Sequence, residues 1–187
     1  MGYLSESALE ELNFKSLGQG VKISDKASIY NAELMEIGDF SRVDDFCVLS
    51  GKVVLGCYCH VAPMCLIAGG EPGVELKDFS GLAYGVKIFA QSDDYSGETM
   101  IGPLVPSKYK RERFASVLLE RQVIVGTNAV IFPGVTVAEG CAIGAMALVT
   151  KSTEPWAMYV GNPARWLKAR KKDLNELESR FLQEKDA

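Results

Sequence analysis

Branched aliphatic residues return along this chain at a fixed step of six. Ile37, Val43, Leu49, Leu55, Val61 and Ile67 form one run. After a short insertion Leu76, Leu82 and Ile88 continue it. After a long one Val125, Ile131, Val137, Ile143 and Val149 complete it, and Ile23 and Ile29 carry the same step upstream. Glycine often follows the aliphatic residue, as at Gly38, Gly56, Gly126 and Gly144. The position two before it is small or β-branched, as at Ser41, Cys47, Val53, Cys59, Cys65, Ser80, Val123, Ala129 and Cys141. A step of six matches neither helix nor strand periodicity alone, but it does match a short strand plus a turn, repeated. Strand alternation turns the aliphatic residue and its small companion inward and leaves the residue between them outward. Three such strands close one triangular coil. The expected fold is therefore an all-β solenoid, a parallel β-helix of about five coils whose inner aliphatic columns are the core.

The insertions add to this picture. With Ile37, Leu55, Leu76, Val125 and Ile143 on one face, every insertion falls at a single corner, where extra residues disturb no stacked strand. The longest, residues 90–122, exceeds a passive turn and is the expected functional loop. Residues 1–20 form an N-terminal cap, with a short helix begun by a capping box at Ser7, Ala8, Leu9 and Glu10. The β-helix proper spans residues 21–153, and residues 154–187 form a C-terminal segment. There Asn162 and Pro163 predict the start of an α-helix over 164–182, with Trp166, Leu167, Leu174, Leu177 and Phe181 as its apolar stripe.

Charge and composition narrow the function. The net charge of −4 gives no reason to expect nucleic-acid binding. No run of about 20 apolar residues predicts a membrane span, and residues 1–14 lack the basic and apolar regions of a signal peptide. A cytoplasmic protein is expected. A single histidine excludes a site built on two or three histidines of one chain. The cluster Cys57, Cys59, His60 and Cys65 has the composition of a zinc site, but the repeat turns Cys59 and Cys65 inward and His60 outward, so no metal is expected.

His60 is then the candidate general base, since an imidazole titrates at about 6.5 when unperturbed. Arg42 and Gly81 are its expected outward neighbours, and Gly81 leaves space beside the ring. Asp94 or Asp45 is the candidate to orient the imidazole. Arg42, Tyr84, Asp93, Asp94 and Tyr95 are candidates for substrate binding. Two basic groups are either solvated or phosphate-binding: Lys108, Lys110, Arg111 and Arg113 in the long loop, and Arg165, Lys168, Arg170, Lys171 and Lys172 near the C-terminus. The outward apolar positions Val48, Val54, Leu66, Ile124, Val130, Ala142 and Leu148 predict burial against partner subunits, and a three-sided prism packs readily as a homotrimer.

The hexads of residues 123–151, followed by Gly161, Asn162, Pro163 and Ala164, resemble the hexapeptide-repeat acyltransferases, and the resemblance runs from about residue 21 to 172. The stretches HVAPMC, GLAYGVKI and SDDYSG are similar to sugar acetyltransferases of surface-polysaccharide (O-antigen or capsule) gene clusters, most of all those acting on a nucleotide-linked 4-amino-4,6-dideoxy sugar. The resemblance implies a left-handed β-helix, a trimer with sites between subunits, and acetyl-CoA as co-substrate. By analogy, Gly126, Ala145, Met146 and Thr150 would line the pantetheine groove, and Lys151, Arg165 and Lys168 would face the cofactor phosphates. Galactoside and maltose acetyltransferases carry their catalytic histidine in the long loop, where this chain reads Ser92, Asp93, Asp94 and Tyr95. Either His60 supplies the base from its own strand, a carboxylate does, or base catalysis is lost. Transfer to another acceptor and a non-catalytic trimeric scaffold are the alternative functions.

Overall fold

The structure, a computed structural model, describes residues 2–185. It is a left-handed parallel β-helix of about seven coils, against the five counted from the sequence. On the first face the strands Lys22–Ile23, Arg42–Val43, His60–Val61, Gly81–Leu82, Ile124–Val125, Ala142–Ile143 and Ala157–Val160 stack in that order, all parallel. The second face stacks Ser28–Tyr30, the first halves of Val48–Leu55 and Leu66–Leu76, Lys87–Phe89, Val130–Ile131 and Leu148–Val149. The third stacks Ser16–Leu17, Glu36–Ile37, the second halves of the two long strands, Val117–Leu119 and Thr136–Val137.

The core follows from the step of six. Val43, Val61, Leu82 and Val125 are fully or almost fully buried on the first face, and so are Leu49, Ile67, Ile88 and Ile131 on the second. Their small companions fill the space beside them. Cys47, Cys59, Cys65 and Cys141 are buried there as thiols. Ser41 and Ser80, also buried, donate their hydroxyls to the carbonyls of Gly56 (2.6 Å) and Glu120 (2.9 Å), so neither hydroxyl is left unsatisfied.

The long excursion is shorter than the sequence predicts. Val117 and Leu119 are buried in the third face, in register with Val74 and Leu76 below and, through Leu119, with Val137 above. Val125 and Ile143 therefore belong to the first face, one strand later than the grouping with Ile37 and Leu55 implies. All insertions still fall at one corner, between the second and third faces. That corner is the vertex opposite the first face.

Both ends differ from expectation. The N-terminal helix, Glu6–Glu11, is capped by Ser5, whose Oγ accepts from Ala8 N at 3.2 Å, so Ser7 is not the cap. At the other end Arg165–Ala169 is a strand paired antiparallel with Ala157–Val160, and the helix begins only at Leu174 and runs to Lys185. Asn162 and Pro163 lie in the hairpin turn between these strands, because pairing along the last coil claims the residues that a helix would need.

The C-terminal helix straps a corner of the prism. Phe40, Tyr58 and Phe79 occupy the left-handed turn position in successive coils (φ 57, 57 and 58°). Their rings stack at centroid separations of 5.3 and 4.9 Å, and stacking of this kind offsets part of the strain of a bulky residue at positive φ. Phe181 meets the Tyr58 and Phe79 rings edge-on, and Glu178 holds Arg121 and Gln122. Arg170, expected in a group that is either solvated or phosphate-binding, instead donates to the carbonyls of Gln122 (2.8 Å) and Gly140 (2.9 Å). Leu119→Ala is expected to cost about 2–5 kcal/mol, read from the urea unfolding midpoint. A change below about 0.5 kcal/mol would return that residue to the loop.

Candidate active site

The site grows from two neighbouring rungs of the first face. Arg42 and His60 occupy the same outward register, one coil apart. Alternation brings residue 44 back to the side of residue 42, and Asp44 stands beside both. Arg42 Nε donates to Asp44 Oδ1 at 2.6 Å and Nη2 to Oδ2 at 2.9 Å. His60 Nε2 donates to the same Oδ2 at 2.8 Å. Asp44 is 2% exposed while the His60 side chain is 50% exposed, so a fixed anion holds a ring whose other edge faces outward. Burial alone would raise the Asp44 carboxyl, but the hydrogen bonds from Arg42 and His60 outweigh it and hold the group below the ordinary carboxylate range. With Asp44 ionised, the proton of a neutral imidazole resides on Nε2, and Nδ1 presents its lone pair.

Within one chain, Asp45 and Asp94, expected to orient the ring, have other partners. Asp45, one residue further on, turns to the rung below, where it accepts from Ser24 Oγ (2.6 Å) and Lys26 Nζ (3.2 Å). Asp94 folds its own loop by accepting from Ser96 N, Ser96 Oγ and Thr99 Oγ1, each at 2.9 Å. Those bonds pull its carboxyl down to about 2. The signal for Asp44 was present in the sequence: the alternation that defines the repeat also aligns 42 with 44.

The other substrate candidates divide. Tyr84 is exposed at the corner between the first and second faces. Asp93 and Tyr95 line a hollow of about 310 Å3 under the excursion, with Phe89, Phe132, Gln91 and Glu112. This hollow lies on the far side of the prism from His60. Within the excursion Lys110 pairs with Glu112 (3.0 Å) and Arg111 with Glu98 (3.1 Å), so those two cations are already engaged.

The cofactor candidates also form two groups. Thr150, Lys151 and Arg165 share a hollow of about 350 Å3 with Ser152, Tyr159, Ala164 and Trp166. Trp166, read from the sequence as part of a helix stripe, is an exposed indole on the hairpin strand. Gly126, Ala145 and Met146 follow the first-face strands, lower on the prism, and Lys168 faces Met158 in the hairpin register. A Cβ on Gly126 would come within 2.5 Å of Ala145 N, so that glycine is required by the close approach of two coils. Burial pushes the Cys59 thiol up to about 12, which removes it as a nucleophile. Among the described residues no group of three His, Cys, Asp or Glu side chains converges as metal ligands.

No family model matches the chain. The dTDP-4-amino-4,6-dideoxy-D-glucose acyltransferase of Escherichia coli is 40% identical over 184 residues, 97% of this chain and 95% of that enzyme. This chain belongs to the hexapeptide-repeat sugar acyltransferases. AntD, an N-acyltransferase from Bacillus cereus solved with dTDP and 3-hydroxybutyryl-CoA, superposes with a TM-score of 0.98 at 43% identity, covering 99% of this chain and 98% of that one. A variant of AntD solved with dTDP-4-amino-4,6-dideoxyglucose and coenzyme A gives 0.97 at 44% identity, over 98% of both chains. The protein is thus an acyltransferase.

Asp44 gives the family member a pH signature. A carboxyl lowered by folding contributes stability above the unfolded value and loses it as pH falls through the folded one. Thermal melts between about pH 6 and pH 2 should show an acid limb that Asp44→Asn flattens, with a lower Tm at neutral pH where Arg42 loses its anion. An unchanged acid limb in the variant would remove Asp44 from this account.

Proposed function

We propose that this protein transfers an acyl group, acetyl in the simplest case, from acyl-CoA to the 4-amine of a dTDP-linked 4-amino-4,6-dideoxy sugar. The observation that carries this reading is the near full-length match, in sequence and in fold, to enzymes named for or solved with those two ligand classes. The amine nitrogen attacks the thioester carbonyl carbon, a C–N bond forms, and the C–S bond breaks as the tetrahedral intermediate collapses. His60 Nδ1 takes the proton that the nitrogen loses and returns it to the departing sulfur. Asp44 keeps the ring in the Nε2–H tautomer and stabilises the imidazolium between these steps. A positioned base is worth about 10²–10⁴ in rate.

The site is completed between subunits of a homotrimer. Two observations support this. His60 lies on the first face, whereas Asp93, Asp94 and Tyr95 leave the opposite vertex, so they meet only if the excursion of one subunit reaches the first face of another. The second face also presents a column of Val48, Leu66, Val130 and Leu148, interrupted only by Lys87, which suits burial. Asp93 and Asp94 would then meet the neutral 4-amine of the sugar. Thr150, Lys151, Arg165 and Trp166 form a basic and aromatic seat for the nucleotide end of CoA, with Lys168 beside it and Gly126, Ala145 and Met146 along the pantetheine. The product belongs to the cytoplasmic supply of nucleotide sugars for surface polysaccharide. Among the described residues no helix is long and apolar enough to cross a membrane.

His60→Ala should lower kcat at least about a hundredfold with Tm preserved, measured by thiol release with the dTDP-amino sugar; a near wild-type rate would end the base assignment. Arg165→Ala combined with Lys168→Ala should raise the KM for acetyl-CoA more than that for acetyl-dephospho-CoA. Equal effects on both would argue against phosphate contact.

A further inference from the structure

The chain has 18 glycines, all among the described residues. Ten adopt positive φ, where side chains are strained. Seven more stand where an added Cβ would come within 2.7 Å of another atom. Gly81 alone has neither reason. Its φ is not positive, and a Cβ there would meet Ile124 Cδ1 at 3.7 Å and His60 O at 4.0 Å, which are ordinary van der Waals distances. Glycine inside a strand is less stable than alanine, and such a choice in a regular element points to something that approaches the bare backbone.

The surroundings indicate what approaches. Gly81 pairs in register with His60 on one side and Ile124 on the other, all three at the outward position of the first face. Strands lie about 4.8 Å apart, so the His60 and Ile124 backbones stand roughly 9–10 Å apart across Gly81. The missing side chain leaves a narrower slot between their side chains, with Ile124 Cδ1 reaching to 3.7 Å from where a Cβ would stand. Both walls reach outward, His60 at 50% side-chain exposure and Ile124 at 46% exposure. The floor offers no spare amide: Gly81 N donates to Val123 O at 2.9 Å, and His60 N to Ser80 O at 3.1 Å. A sugar would find few partners for its hydroxyls there. A short hydrocarbon chain would lie against Ile124 with its carbonyl end beside the imidazole.

We propose that the slot over Gly81 seats the acyl group of the thioester and that Gly81 determines how long that group can be. The inference rests on the reading of His60 as the residue beside the reacting carbonyl. The test uses full-length wild type, Gly81→Ala, Gly81→Val and His60→Ala, with acetyl-CoA and butyryl-CoA as donors and dTDP-4-amino-4,6-dideoxyglucose as acceptor. Wild type should use both donors. In Gly81→Ala the kcat/KM ratio of butyryl-CoA to acetyl-CoA should fall at least about tenfold, and further in Gly81→Val, as expected when a pocket loses room for methylenes. Acceptor KM and Tm should hold. Wild type that turns over acetyl-CoA but not butyryl-CoA would overturn the proposal, since the bare backbone at Gly81 is what would admit the longer chain. So would an unchanged donor ratio, or an equal fall for both donors with a lowered Tm, which would make Gly81 structural. His60→Ala separates the two readings. An inactive His60→Ala beside an unchanged Gly81 donor ratio would keep the base and discard the acyl seat. An active His60→Ala beside a shifted ratio would keep the seat and discard the base.

Discussion

The in-register stacking of one coil on the next is the constraint on which everything else depends. Each short strand bonds to the strands of the coils above and below, so a residue's neighbours along the axis are fixed by its position in the coil rather than by local propensity. This is why a two-residue strand such as His60–Val61 is stable at all: Val61 is buried in a continuous column, and the backbone is paired on both sides. It is also why outward side chains form straight columns. Arg42, His60, Gly81 and Ile124 are one such column, and the candidate site stands on it.

Rigid columns also explain how a solvent-facing histidine is held in one orientation. The imidazole is not packed into a cavity. It is fixed by one hydrogen bond to a buried carboxylate that is itself held by a bidentate arginine. Arg42 satisfies the buried charge of Asp44, which would be costly if left unpaired. It also leaves Oδ2 able to accept from His60 Nε2. The thiols of Cys47, Cys59 and Cys65 point inward and are buried away from the outer surface.

The repeat made the fold and the place of His60 legible, since both follow from a step of six and an alternation of two. What the sequence hid has physical causes. Val117 and Leu119 follow an insertion of arbitrary length, and a periodic count can resume at any phase. The strand Val117–Leu119 advances the count by one face and so places Val125 and Ile143 on the first face. Acidic residues are common at turns, so only the alternation that aligns residue 44 with residue 42 marks Asp44 in the sequence. The hairpin strand Arg165–Ala169 carries residues that suit a helix equally well, and its pairing with the last coil decided the outcome. Arg170 and the stacked rings of Phe40, Tyr58 and Phe79 owe their roles to contacts between coils far apart in sequence.

The central claim is acyl transfer from a CoA thioester to a sugar amine. Its most direct test is the product of the wild-type protein with acetyl-CoA and dTDP-4-amino-4,6-dideoxyglucose, followed by thiol release and identified by NMR after mild alkali. This account predicts one thiol released per sugar consumed and an N-acetyl product whose amide survives the base. A base-labile ester would move the reaction to a hydroxyl, and no thiol release would contradict the account outright.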